Sequence, residues 1–325
     1  MTQTASILLV DDDEKLLAQL ADQLAPLLRD VAVDIRTWAP VRADDAMGQL
    51  DQLVDDTTLL VVTDFDLTTG GQTGFFGPTV VGWCQQRAVA VGDFSRKTKN
   101  ALPKEPNFFE LRVPSSDAAA EFVANAFRGF LTIRDAVAEQ AEQYQSLRSP
   151  ASVLAQILGR PNLESQLALY SPRLGSSSAA LLQRILATAP DDIEPSQDEK
   201  LKLLAYVAGH VLLNAVLKYP GPILSADALC AYCGVASDQF ARIADIFSSA
   251  RYQGPFAAGG EFFWREEVDD ILEALRPDED DEVETLGEIN RIALEQKLGE
   301  QLGRHGCGRC AGQNGGFYCP FTRRA

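Results

Sequence analysis

The sequence predicts an α/β fold for its first part, a five-stranded parallel sheet with helices on both faces, followed by a mainly α-helical part. Three observations lead there. Short apolar runs of strand length alternate with stretches whose apolar residues fall three and four apart, the period of a helix. Two of those runs stop at carboxylates, Asp11-Asp12 and Asp64. Beyond Ser149-Pro150 helical spacing takes over.

In chain order, Ser6 to Val10 is a β-type run that ends in Asp11-Asp12-Asp13, and Leu16, Leu17, Leu20, Leu24, Leu27 and Leu28 then trace a helix. Val31 to Thr37 alternates as a strand, and Ala43 to Leu53 reads as a second helix. Leu59 to Val62 is a buried third strand, Pro78 to Gln86 a third helix, Ala88 to Val91 a fourth strand and Phe108 to Val113 a fifth. Parallel neighbours need crossovers, so this alternation implies a sheet covered on both faces. A long helix is expected from Ser116 to near Ser146, with Phe122, Val123, Phe127 and Phe130 as its apolar stripe. Its second half, rich in Ala, Glu and Gln, either projects as a coupling or dimerisation helix or gives way to a linker near Ile133.

Bulk properties narrow the function. The 325 residues include 46 acidic against 29 basic ones, a formal net charge of −17. That balance argues against a surface built to grip phosphate backbones or anionic lipid. No apolar run reaches the ~20 residues of a membrane span, and Met1 to Ser6 has no basic stretch of the signal-peptide kind. A cytoplasmic protein without membrane contact is expected. The six cysteines (Cys84, Cys230, Cys233, Cys307, Cys310, Cys319) then read as reduced thiols or metal ligands, not as a disulfide framework.

Right-handed crossovers bring the ends of the first and third strands together, and with them Asp11, Asp12 and Asp64. Three carboxylates in one cleft repel each other unless a cation sits between them. Oxygen ligands alone favour Mg²⁺ over zinc or copper. The plainer alternative is that Asp11 to Glu14 cap a helix, because an acid is favourable at the positive end of its dipole.

Ile7-Leu8-Leu9-Val10-Asp11-Asp12 and Val62-Thr63-Asp64-Phe65-Asp66-Leu67 resemble the receiver domain of two-component response regulators. The resemblance spans roughly the first 135 residues and implies a flavodoxin-like sheet. It also implies Asp11 and Asp12 as Mg²⁺ ligands, Asp64 as acceptor of a phosphoryl group from a histidine kinase or other phosphodonor, and Asp66 as a carbonyl ligand to the metal. The family's fourth strand ends in Thr or Ser; the matching place here is Gly92, with Ser95 three residues on. Its fifth strand ends in Lys-Pro, whereas Leu111-Arg112-Val113-Pro114 sets Arg112 one residue out of register, facing the other side. Ser95 and Arg112 are therefore the switch candidates, with Arg96 or Lys97 as substitutes from the loop. The loop from Thr68 to Gly77 is longer and richer in glycine than the family's usual turn.

The expected organisation is a receiver-like domain (1–147), a helical output module (148–276) and an acidic linker with a helix and cysteine tail (277–325). In the module, Val153 to Leu158 and Leu181 to Leu186 start helices, and Leu201 to Leu217 is a buried helix holding His210, read as structural. Ser225 to Gly234 followed by Asp238 to Phe247 has a helix-turn-helix outline, and Arg251–Phe256 with Glu261–Trp264 reads as a hairpin. Together they resemble a winged helix. Arg242 stands against Asp238 and Asp245, so a protein partner is favoured over DNA. Cys230-x-x-Cys233 falls within a helix and reads as packing. In the tail, Cys307-x-x-Cys310 has zinc-knuckle spacing, with Cys319 and His305 as further Zn²⁺ ligands, or else the thiols are free.

Three functions fit. The first is a signalling protein whose receiver controls a protein-binding module, with a homodimer possible; an atypical receiver on a non-standard output is also similar to response-receiver proteins of bacterial conflict and defence clusters. The second is a DNA-binding transcriptional response regulator. The third is a Mg²⁺-dependent phosphohydrolase similar to the haloacid-dehalogenase group, using Asp64-Phe65-Asp66. In that group, however, the acidic pair follows the Asp-x-Asp strand, whereas Asp11-Asp12 precede it here, so a non-enzymatic receiver is expected.

Overall fold

A computed structural model describes residues 4–40, 45–68, 76–94, 108–114, 118–145, 149–170, 196–276 and 285–306. Five strands, β1 (Ala5–Val10), β2 (Val33–Trp38), β3 (Thr58–Asp64), β4 (Ala90–Phe94) and β5 (Leu111–Arg112), form one sheet in the order β2-β1-β3-β4-β5. Every pairing is parallel, the flavodoxin-like arrangement. All six residues of β1 and all five of β4 are buried, as strands covered on both faces must be. The crossovers are the helices α1 (Glu14–Leu27), α2 (Ala46–Leu53) and α3 (Gly77–Gln86). Leu8, Val10, Val61 and Val91 pack beneath Leu50, Val80, Val81 and Cys84 of α2 and α3. A fourth helix, α4 (Ala119–Glu139), packs beside α1, where Arg128 bonds Leu27 O and pairs with Asp30.

Two expectations about this region are corrected. The fourth strand does not stop at Val91; it runs through Gly92 and Asp93 to Phe94. Glycine is needed inside it because a Cβ at Gly92 would lie 2.8 Å from the Val113 side chain. The long helix does not project either. It breaks at Gln140 and resumes as α5 (Ala141–Gln145), and Val137 and Tyr144 are buried.

Contacts divide the chain into a first unit, residues 1–164 with 171–214, and a second, residues 165–170 with 215–325. These units depart from the boundary expected at 147/148. Ser149-Pro150 opens α6 (Pro150–Ile157), with the Ser149 hydroxyl accepting from Ala151 N and proline in the first turn, a helix start in place of a linker. A short α7 (Glu164–Ala168) follows. The expected buried helix is α8 (Gln197–Val211), and it packs along α4. Phe109, just ahead of β5, stacks on Tyr206 at 5.3 Å and meets His210 edge-on at 5.4 Å, while Phe130 of α4 lies 5.0 Å from His210. Asn214 Nδ2 donates to Phe108 O at 2.8 Å, and Gln85 Nε2 of α3 donates to Phe109 O. The segment that leads into β5 is thereby packed against the chain's own helix. His210 is structural, as its sequence setting implies: it is fully buried, and desolvation pulls its imidazole down to about 3.

In the second unit, β6 (Ile223–Ser225) pairs antiparallel with β7 (Phe262–Trp264). The expected hairpin is reduced to a single Arg251–Phe263 bridge and a Tyr252 N–H bond to Phe262 O, because β6 takes the other edge of β7. α9 (Ala226–Tyr232) ends at Gly234, which sits at φ +67° and so close to Gly287 O that a Cβ would be 2.3 Å away. The second helix of the outline is a short α10 (Phe240–Ile243) flanked by 3₁₀ turns. α11 (Arg265–Leu275) and α12 (Leu286–Leu298) complete the unit. Cys230 and Cys233 are both fully buried in its core beside Leu229, Val235 and Phe247, and burial pushes the Cys230 thiol up to about 12. They pack. The helix expected at Leu181 to Leu186 and the acidic run Asp278 to Glu284 lie outside the described residues. Among the described residues no helix is long and apolar enough to cross a membrane.

Candidate functional site

β1 and β3 are neighbours in the sheet, with Val10 opposite Thr63, so the residues that follow them meet at its carboxyl edge. Asp11, Asp12 and Asp64 each offer an oxygen within 4.8 Å of the others, and among the described residues they are the one group of three or more such side chains placed to share a cation. Oxygens around one octahedral Mg²⁺, bound at about 2.1 Å, lie no more than about 4.2 Å apart. The all-oxygen donor set suits a hard divalent ion, and the 4.8 Å bound on its spacing leaves a few tenths of an ångström to close on binding.

Of the run Asp11 to Glu14, Asp13 caps the helix, as the plainer alternative has it. Asp13 Oδ1 accepts from Lys15 N and Leu16 N, while Asp11 Oδ1 accepts from Asp13 N at 2.8 Å. Asp11 is thus held in the cleft and left to act there. Burial, more than the neighbouring Asp64 and Asp12 charges, raises its carboxyl to about 6. Asp64 is raised as well, first by burial and then by Asp12 and Asp66. Its Oδ2 accepts a long bond from Asp66 N, 3.3 Å. The Asp66 carboxylate turns to Thr68, accepting from its N–H at 3.1 Å and from its hydroxyl, and it is not one of the three clustered acids.

Register decides what else faces Asp64. Its partner on β4 is Phe94, and Val113 comes next across β5. Both are buried and apolar. The place matched to Gly92 is therefore two residues further along, and the side chain there is an aromatic ring without a hydroxyl. Phe94 joins Leu16, Leu17, Leu20 and Val62 in lining a small pocket beside Asp11 and Asp64. Arg112 lies in the adjacent row, opposite Asp93, so the one-residue displacement read from the sequence holds. Ser95, Arg96 and Lys97 lie outside the described residues, as do Cys307, Cys310 and Cys319. His305 is described; its backbone N–H donates to Gly234 O at 2.8 Å, and among the described residues it joins no metal-ligating group.

Three residues of the site were not singled out by sequence reasoning. Gly77 opens α3 with its N–H on Phe65 O, so near that a Cβ would fall 2.3 Å from Asp64 O. Asp93 is 8% exposed, and its Oδ1 has no hydrogen-bond partner among the described residues. Burial, then the charges of Glu110 and Asp64, raise it to about 7 against the pull of Arg112. Phe94 is the third. The signal for the last two was a longer strand, and Gly92 concealed it. Comparison with protein-family models, curated proteins and solved structures finds no match.

Proposed function

We propose that the chain is a signal-transduction protein: Mg²⁺ occupies the cleft of Asp11, Asp12 and Asp64, Asp64 accepts a phosphoryl group, and the state of the cleft governs a protein-binding helical unit. The observation that carries the reading is the convergence of the three carboxylates at the ends of adjacent parallel strands. When bound, the cation neutralises charge on the acids and on an incoming phosphoryl group. The chain's own part is to hold Asp11 by the Asp13 N–H, to present Asp64 half-exposed at the end of β3, and to keep one flank of the cleft apolar through Phe94. Asp64 Oδ attacks the phosphorus of an acyl or histidyl phosphate, and the donor's oxygen or nitrogen leaves with the bonding pair.

A protein partner suits the second unit better than DNA. Asp238 and Asp245 are exposed on its second helical segment. Arg242 pairs with Glu300 at 2.7 Å and Arg251 with Glu261 at 3.0 Å. Phosphate contacts need uncommitted cations. The phosphohydrolase reading has less support, because the Asp66 carboxylate is engaged by Thr68.

The test combines Mg²⁺ calorimetry with acetyl phosphate treatment followed by intact mass. Binding by the wild type, with a phosphoryl adduct that disappears in Asp64→Asn, is the expected result. Mg²⁺ binding that is unchanged in Asp11→Asn and Asp64→Asn, or an adduct that persists in Asp64→Asn, would overturn the proposal.

A further inference from the structure

We infer that β2 is a self-complementary dimerisation edge: two copies of the chain pair antiparallel through Val33–Trp38 about a two-fold axis at Ile35, continuing the sheet from one protomer into the other. The two ends of the sheet differ. The chain just ahead of β5 packs against α8 and Asn214, whereas among the described residues β2 pairs only with β1. A six-residue strand with no second neighbour among the described residues is a template for another strand.

Backbone parity shows which groups face outward. Asp11 N donates to Trp38 O at 3.3 Å, so the peptide groups of Trp38 point toward β1, and by alternation those of Arg36 and Asp34 do too. Those of Val33, Ile35 and Thr37 point away from the sheet. Among the described residues nothing bonds to them.

The side chains then select the partner and the register. Antiparallel pairing about Ile35 sets Ile35 against its own copy and Val33 against Thr37 at the hydrogen-bonded positions. Each such pair exchanges two bonds, about six in all. Asp34 then falls opposite the partner's Arg36 at the non-hydrogen-bonded positions, where side chains come closest. An axis at Asp34 would oppose two carboxylates, and one at Arg36 two guanidinium groups; all three axes match outward peptide groups with outward ones, so charge separates them. Of the three, the axis at Ile35 is the one that opposes unlike charges. The Asp34 side chain is 54% exposed; Arg36, 29% exposed, is bonded within its own chain to Asp34 at 2.7 Å and Asp55 at 2.8 Å and would share its guanidinium with the partner's Asp34. Two copies complete a ring of alternating charges, an isologous contact.

Light scattering and sedimentation equilibrium of the full chain test this at near-physiological ionic strength, where the −17 of each copy is screened. The expected mass rises with concentration toward twice the 35.3 kDa of one chain. Asp34→Lys sets like charges across the axis, and the association constant should drop at least tenfold. Ile35→Pro removes an outward donor while leaving the β1 ladder intact, and it should give a monomer with an unchanged circular-dichroism spectrum. Ile35→Cys, with Cys307→Ser, Cys310→Ser and Cys319→Ser, should cross-link between chains on mild oxidation, since opposed Cα atoms lie about 5.5 Å apart. A wild type that stays monomeric across the range sinks the inference. So does a dimer that survives both Asp34→Lys and Ile35→Pro, or a folded Ile35→Cys variant that never cross-links.

Discussion

Removing one acid from the cleft should make the cation-free protein more stable. Asp11 is 7% exposed, and its carboxyl is raised from 3.8 to about 6. A carboxyl raised on folding binds its proton more tightly in the folded chain, so stability declines as pH climbs from 3.8 through 6. By pH 7 the full penalty is present. At about 1.4 kcal/mol per pH unit it reaches about 3 kcal/mol at pH 7, and about half of that at pH 5. Asp11→Asn removes the charge and keeps an oxygen to accept from Asp13 N. In chelator at pH 7, the variant should unfold at a higher temperature, by at most about 6–12 °C for a unit of this size. The gap should narrow at pH 5 and nearly close at pH 4. Added Mg²⁺ should reverse the order, stabilising the wild type by mass action and the variant much less. Calorimetry at three pH values, with and without Mg²⁺, reads all of this. If Asp11→Asn were less stable than the wild type in chelator at pH 7, burial and repulsion would not be what raises that carboxyl, and the cation argument would lose its physical basis.

Three further outcomes follow from particular contacts. His210 is buried with its imidazole lowered to about 3, so the fold cannot take up the proton that the unfolded chain binds below 6.5; stability should be full above that pH and decline below it, by about 2 kcal/mol between pH 7 and pH 5. Urea titrations of His210→Phe should show that much less acid sensitivity. Gly77→Ala forces a Cβ against Asp64 O, and it should cost about 1–3 kcal/mol in unfolding experiments and weaken Mg²⁺ binding through the displaced β3 end. Phe94→Thr sets a hydroxyl in the row of Asp64 at a cost of about 3 kcal/mol in stability, and it should tighten beryllofluoride binding several-fold, read by calorimetry in the presence of Mg²⁺.

The acidic half of the site was legible because its placement is local. Asp11-Asp12 and Asp64 stand at the ends of their own apolar runs, and the handedness of crossovers does the rest. The parallel sheet follows from the same alternation, and its strand order is the one the resemblance implies. What was not legible depends on contacts distant in sequence. The span of β4 turns on Gly92 passing beneath Val113, and a glycine after an apolar run reads as a stop until that neighbour is known. Ser149-Pro150 carries two meanings, helix start and chain break, and only the packing of α6 and α8 chooses between them. The grouping of α8 with the sheet rests on Phe109, Phe130, Tyr206 and His210 meeting across about a hundred residues of chain, which no periodicity announces.

This split bears on how the cleft works. Its charges come from β1 and β3, and its apolar wall from β4 and β5, where Phe94 and Val113 face Asp64 while Arg112 stays opposite Asp93. Among the described residues, no cation on β4 or β5 lies in the row of Asp64. Among the described residues, negative charge added to Asp64 would be balanced from the β1 side, through an ion held by Asp11 and Asp12. If the cleft works as proposed, cation binding should precede phosphoryl transfer, and the adduct formed with acetyl phosphate should disappear in chelator.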